Sequence, residues 1–348
     1  MNRMNLRTII MATLATSSAM LAAVCAQAQP NTELRPDETV FLYTEDISGV
    51  SDPVMGRKTA YAGYSIAEGN GLSGQEVIQE SGNLGNISEN ARFDLYFPKK
   101  PNGQMAVVCP GGGYSFVSSY NEGVYVAEWM VEHGITVAVV KYRMPNGHWE
   151  VPLTDVQNTF RYCREHAEEW GVTQIGVMGF SAGGHLAASA STMYSDAETR
   201  PDFSVLIYPV ITMDMKYTHK GTRNSLIGAD KVWERRDGMS WEEWNKSQKR
   251  HEMLLRKYSL ENQVTADTPA TFIALSSDDN GVPPENSIRY YRSLIKSGVS
   301  TEMHIYPSGG HGWGFTKLRY SDKDRMDYAR NEFEASLERW LDSISVNR

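Results

Sequence analysis

The chain alternates between short apolar runs and longer stretches in which apolar residues recur every three to four positions. Arg92 to Phe97 sets Phe93, Leu95 and Phe97 at every second position, the pattern of a strand with one buried face. Met105–Cys109, Ile135–Val140, Ile175–Met178, Val205–Tyr208 and Ala270–Leu275 are apolar almost throughout, which predicts strands covered on both faces. Glu302–Ile305 is the last predicted strand. Helical periods lie between them. Val124, Ala127, Trp129 and Val131 precede Gly134, and Val156, Phe160, Cys163 and Ala167 share a face of Asp155–Trp170. Gly183–Met193 is a helix of small residues. Glu285–Ile295 is entered through Pro283-Pro284, where a missing N–H costs nothing. Asp322–Leu341 closes the chain. Strand alternating with helix predicts an α/β fold with a mostly parallel central sheet and helices on both faces.

The rhythm breaks in two places. Residues 211–265 carry Trp233, Trp241 and Trp244 among many charges, and no Ser/Gly-rich linker flanks them. They read as a small cap-like insertion in one domain spanning 61–348. Residues 29–60 show no period and read as an N-terminal arm. Ahead of them, Arg3 and Arg7 precede an apolar stretch from Thr8 to Val24 that is broken by Thr and Ser, and Ala26-Gln27-Ala28 follows. This is the form of a secretory signal peptide over residues 1–28, cleaved after Ala28, and it predicts a periplasmic or secreted protein with no membrane anchor after cleavage. Cys25 follows Val24, which is too bulky for a usual lipoprotein processing site.

Composition narrows the chemistry. The chain of 348 residues is 41% hydrophobic and 22% charged, within the ordinary range for globular proteins. The net charge of -8, with no basic stripe, argues against a nucleic-acid partner. The mature chain keeps Cys109 and Cys163, both in predicted core elements, so two buried thiols are expected rather than a disulfide. Eight scattered histidines, with no C-x-x-C or H-E-x-x-H, support no metal site, and no cofactor is implied.

Gly179-Phe180-Ser181-Ala182-Gly183 is G-x-S-x-G between a predicted strand and a predicted helix. A serine in that tight turn projects its hydroxyl above the sheet at the positive end of the helix, so Ser181 is the candidate nucleophile. A hydroxyl needs a base. His311, in Gly309-Gly310-His311-Gly312-Trp313 after the last strand, is the candidate, whereas His185 sits on the nucleophile's own helix as a packing residue and His304 lies inside a strand. Asp278 and Asp279 follow Ala270–Leu275, and either residue type could orient the base, with its neighbour holding the loop through backbone N–H groups. Pro110-Gly111-Gly112-Gly113-Tyr114 follows the strand at Met105–Cys109. Its N–H groups at Gly112 and Gly113, with that of Ala182, are candidate donors to an oxyanion.

Together, CPGGGY at Cys109–Tyr114, KYRMP at Lys141–Pro145, GFSAGGHLA at Gly179–Ala187, DDNGVPPENS at Asp278–Ser287 and GGHGWG at Gly309–Gly314 resemble the α/β-hydrolases of the bacterial carbohydrate-esterase type, the acetylxylan and feruloyl-type esterases. The resemblance spans roughly residues 92–340. It implies an α/β-hydrolase fold and, through its D-x-x-V-P pattern, selects Asp279 as the acid. It also implies acetyl or feruloyl esters of a polysaccharide such as xylan, or small-molecule esters, as substrates. Pro110 stands where many relatives have His-Gly, and Leu275-Ser276 where the acid loop often starts with His-Gly; neither removes a catalytic group. Tyr114, Tyr208, His219 and Trp313 are candidate substrate contacts, with Arg223 in the same segment as His219. A prolyl-oligopeptidase-type peptidase would share fold and triad order, but the chain has no room for its β-propeller. A non-catalytic carbohydrate-binding relative would not need every triad position filled.

Overall fold

In a computed structural model, residues 32–43, 76–85, 87, 91–315 and 326–346 are described; the expected signal peptide and most of the expected arm lie outside them. Eleven strands occur among these residues, in chain order β1 (Glu38–Phe41), β2 (Val77–Ile78), β3 (Asn83–Gly85), β4 (Arg92–Tyr96), β5 (Gln104–Cys109), β6 (Val117–Ser118), β7 (Thr136–Lys141), β8 (Gln174–Phe180), β9 (Phe203–Ile207), β10 (Ala270–Ser276) and β11 (Thr301–Tyr306). Eight of them make one sheet in the order β1-β4-β7-β5-β8-β9-β10-β11, and β2-β3-β6 make a small second one. From β7 to β11 the large sheet is parallel, while β1 and β4 are antiparallel.

The continuous apolar runs have the expected consequence. Every residue of β5, β7, β8 and β9 is buried, so both sheet faces are covered there. The helices are α1 (Tyr125–Glu132), α2 (Val151–His166), α3 (Ser181–Thr192), α4 (Lys220–Ile227), α5 (Trp241–Tyr258), α6 (Glu285–Lys296) and α7 (Arg330–Ser343), with α4 and α5 in the insertion. Cys109 and Cys163 are buried and unpaired, and burial pushes both thiols up.

Three expectations need correction. The arm contains β1, which pairs with β4 from Glu38↔Leu95 to Phe41↔Arg92, so it supplies the sheet's outer strand. For the same reason β4 is not half-exposed. Asp94, on its predicted outer face, is buried and forms an ion pair with Lys141 of β7. The closing helix starts at Arg330 rather than Asp322; residues 326–329 form a turn, and 322–325 lie outside the described residues.

The insertion leaves and rejoins the domain at one place. Leu260 N–H donates to Ile211 O (3.0 Å), Met213 N–H donates to Ser259 Oγ (2.9 Å), and Asn286 Oδ1 accepts from the N–H groups of Ile211 and Thr212. Within it, α5 begins at a capping box, Ser240 with Glu243, and buries only Leu254 and Tyr258.

Candidate active site

In a parallel sheet the strand C-termini point to one edge, and the loops that leave them gather there. β5, β8, β9, β10 and β11 lead into Pro110, Ser181, Tyr208, Asp279 and His311 in this way. Phe180 ends β8 in extended geometry and Ser181 opens α3 at φ +52°, an uncommon value for a residue with a side chain. The flanking glycines make the turn possible by close approach. A Cβ on Gly179 would stand 2.2 Å from Gly183 O, and one on Gly183 would stand 2.0 Å from Cys109 O.

Three sequence-distant side chains meet. Ser181 Oγ–H donates to His311 Nε2 (2.8 Å), and His311 Nδ1–H donates to Asp279 Oδ2 (2.7 Å). The carboxylate fixes this tautomer by accepting at Nδ1. Asp279 Oδ1 accepts from the N–H groups of Gly281 and Val282, both at 2.8 Å, so both carboxylate oxygens are engaged. Asp278 points elsewhere: its Oδ1 accepts from Gly310 N–H (2.8 Å) and ties the acid loop to the loop that carries His311.

The glycine loop lies beside the serine. A Cβ on Gly111 would stand 2.9 Å from Ser181 Cβ. Gly112 takes φ +132°, and its carbonyl accepts from the N–H groups of Ser115 and Phe116, which folds the loop back on itself. Among the described residues, no acceptor takes the N–H of Gly112, Gly113 or Ala182. Three backbone donors are thus available near the serine.

Sequence reasoning missed Glu122. It lies in the π-helical turn Tyr120–Val124 that leads into α1 and is 4% exposed. Its Oε2 accepts from Gly111 N–H (2.7 Å), and its Oε1 accepts from Tyr208 O–H (2.8 Å). Burial raises its pKa, against the opposing pull of these hydrogen bonds and of His311. The only signal in sequence is a lone acid within the otherwise uncharged stretch from Tyr114 to Ala127.

The predicted substrate contacts divide. Tyr114, Tyr208 and Trp313 are each 1% exposed, so none offers a face to substrate. Their polar atoms are spent inside: Tyr114 O–H on His185 Nδ1 (3.0 Å), Trp313 Nε1–H on Ser276 Oγ (3.1 Å), and Tyr208 Oη accepts from Gly314 N–H (2.9 Å). Tyr208 instead backs the base, its ring edge-to-face with His311 at 4.8 Å. His219 remains at the site, with Cε1 3.5 Å from where a Gly113 Cβ would be. It caps α4, with Nδ1 accepting from Thr222 N–H (3.2 Å), and burial lowers its pKa. Arg223 is a buried strut paired with Asp230 (2.7 Å). His185 is a packing residue whose Nε2–H donates to Tyr258 O (2.9 Å), and burial pushes it down to about 4. His304 pairs with Glu302 on β11. Among the described residues, no three His, Cys, Asp or Glu side chains converge where a metal ion could be held.

Comparison with known proteins finds a family model described as alpha/beta hydrolase fold that matches residues 107–315. An acetylxylan esterase of Xylanibacter ruminicola is 37% identical over 266 residues, 74% of this chain and 50% of that protein. Endo-1,4-beta-xylanase B of Butyrivibrio fibrisolvens is 30% identical over 222 residues, 59% of this chain and 32% of that protein. The chain thus spans half or less of the length of these two relatives. Among solved structures, the acetyl ester-xyloside bifunctional hydrolase of Caldicellulosiruptor lactoaceticus superposes with a TM-score of 0.58 at 32% identity, covering 73% of this chain and 88% of that one.

Proposed function

Because the chain belongs to the α/β-hydrolase fold family, we propose that it is a serine esterase that removes acetyl groups from xylan-type polysaccharides. The observation that carries this reading is the unbroken relay of Ser181 Oγ to His311 Nε2 at 2.8 Å and His311 Nδ1 to Asp279 Oδ2 at 2.7 Å. His311 takes the hydroxyl proton as Ser181 Oγ attacks the ester carbonyl, and Asp279 stabilises the imidazolium. The N–H groups of Gly112, Gly113 and Ala182 receive the oxyanion, helped by the positive end of α3. Collapse of the tetrahedral species expels the sugar alkoxide, which His311 protonates. Water, deprotonated by the same imidazole, then releases acetate from Ser181. No step calls for a metal or cofactor.

The acyl preference follows from the relatives that carry xylan or acetyl chemistry in their names, and feruloyl esters are the competing substrate class. Export is part of the proposal, supported by the basic start, the interrupted apolar run and Ala26-Gln27-Ala28, since polymeric substrates are met outside the cell membrane. The test is to incubate the protein with acetylated and with feruloylated xylan and measure which acid is freed. Acetate release that falls about 10⁴- to 10⁶-fold in a folded Ser181→Ala variant supports the reading. Ferulate without acetate replaces the substrate, and undiminished turnover in the variant removes the nucleophile.

A further inference from the structure

The insertion differs in charge from the chain that carries it. Residues 211–265 hold eleven Lys and Arg against eight Asp and Glu, in a protein of net charge -8. Part of this excess positive charge lies around a cleft. The cleft encloses about 700 Å³ between the segment after β7 and the insertion, and Trp149, Asn224, Ser225, Trp233, Arg236 and Arg250 are among its walls. Among the described residues neither Arg236 nor Arg250 has an acid partner or a hydrogen bond to its guanidinium. Arg250 only rests over the Trp149 ring, 5.0 Å from its centroid. Other arginines of the protein are spent: Arg143 on Asp155, Arg223 on Asp230, Arg161 on Asp196 and Glu198.

The aromatic walls are held in place. His251 stacks on Trp233 with centroids 4.6 Å apart and rings 1° from parallel. The Trp233 Nε1–H is buried and has no acceptor among the described residues. One wall of the cleft touches the segment that follows the glycine loop. Ser225 Oγ lies 3.4 Å from Ser115 Oγ, just past the glycine loop. α4 runs from His219, beside Gly113, to the cleft wall at Asn224–Ile227, a rise of about 10 Å.

Indole rings suit the apolar faces of a sugar, the amide and hydroxyl suit its edges, and two unpaired guanidinium groups suit a carboxylate. We propose that this cleft is a subsite for a uronic acid, a carboxylate-bearing sugar carried on the same polysaccharide whose acetyl group reaches Ser181. The acid side branch would then set which esters along the chain come within range of the serine. The inference rests on the esterase reading for its purpose, but not for its measurement.

Calorimetry with the full-length Ser181→Ala protein avoids turnover, using a xylo-oligosaccharide bearing one glucuronic acid and the same oligosaccharide without it. We expect the acidic ligand to bind about tenfold more tightly or better. That preference should shrink as salt rises and should vanish in Arg236→Gln/Arg250→Gln. Trp149→Ala should weaken both ligands, which separates stacking from charge. Equal affinity for the two ligands, no binding of either, or a preference that survives loss of both arginines would overturn the proposal. An acidic preference in Ser181→Ala, together with an unsubstituted protein that frees no acetate from acetylated xylan, would sink the esterase reading and leave this one standing.

Discussion

Asp278 and Asp279 are adjacent and chemically identical, yet their carboxylates meet different partners. Asp279 is 4% exposed and holds His311, whereas Asp278 Oδ1 reaches only Gly310 N–H at 2.8 Å. Asp279→Asn presents an amide N–H or a neutral oxygen to the imidazole and disfavours the reactive tautomer. It should cost about 10⁴ in kcat for a small acetyl ester, and Asp278→Asn less than about tenfold. The reverse ranking would exchange the two assignments. Glu122 supports the same site from below, accepting from Gly111 N–H on one oxygen and from Tyr208 O–H on the other. Glu122→Ala should therefore lower kcat by about 10²-fold, with Glu122→Gln in between because one amide oxygen can accept only part of what the carboxylate takes. An unchanged kcat in the folded Ala variant would make Glu122 a bystander. At this scale, residues fixed by motif were legible: Ser181, His311 and the glycine loop announce themselves by flanking glycines at strand ends. Glu122, Tyr114, Tyr208 and Trp313 were not, because a residue's depth is set by what packs over it, and aromatics near a motif give no sign of whether they face outward.

Elements were legible where burial on both faces made their sequence continuous, as in β5, β7 and β8. Their ends shifted where the ladder takes in flanking residues such as Gln104, Lys141 and Gln174. α2 begins at Val151 rather than Asp155 because Pro152 sits in its first turn, where the absent N–H costs nothing. β1 escaped notice because only Val40 of its four residues is buried, too little pattern to stand out. What joins such elements is also invisible to periodicity. Arg143, just past β7, and Asp155, inside α2, meet at 2.6 Å with 3% and 0% of their side chains exposed. Asp155 also accepts from Arg143 N–H at 2.8 Å and from Tyr43 O–H. Asp155→Ala leaves that guanidinium buried without its counter-charge. It should cost about 3–5 kcal/mol in urea denaturation at constant m-value. A loss below about 1 kcal/mol would mean that water reaches Arg143 and the pair is not a structural clamp.

For the molecule as a whole, residues 211–265 read in sequence as a cap-like insertion in the one domain, and His185 fastens them to it. From α3, the helix that Ser181 opens, the ring accepts from Tyr114 O–H of the glycine loop at 3.0 Å and donates to Tyr258 O at the end of α5 at 2.9 Å. One neutral imidazole thus joins catalytic loop, serine helix and insertion, and pH should act on all three together. Burial lowers its pKa from 6.5 to about 4. Below pH 6.5 the unfolded chain gains a proton there that the folded protein refuses until about pH 4. Stability from this group is complete above the upper limit, drains away as pH falls through the window, and levels off beneath it. The shift corresponds to about 3 kcal/mol. His185→Gln keeps an acceptor for Tyr114 and a donor for Tyr258 but does not titrate. Its melting temperature should therefore fall less steeply than that of the unsubstituted protein between pH 6.5 and 4, a comparison in which every other titrating group cancels. Parallel melting curves across that window would mean that His185 takes up its proton as readily folded as unfolded, and that the insertion is not locked to the catalytic loop through an uncharged ring.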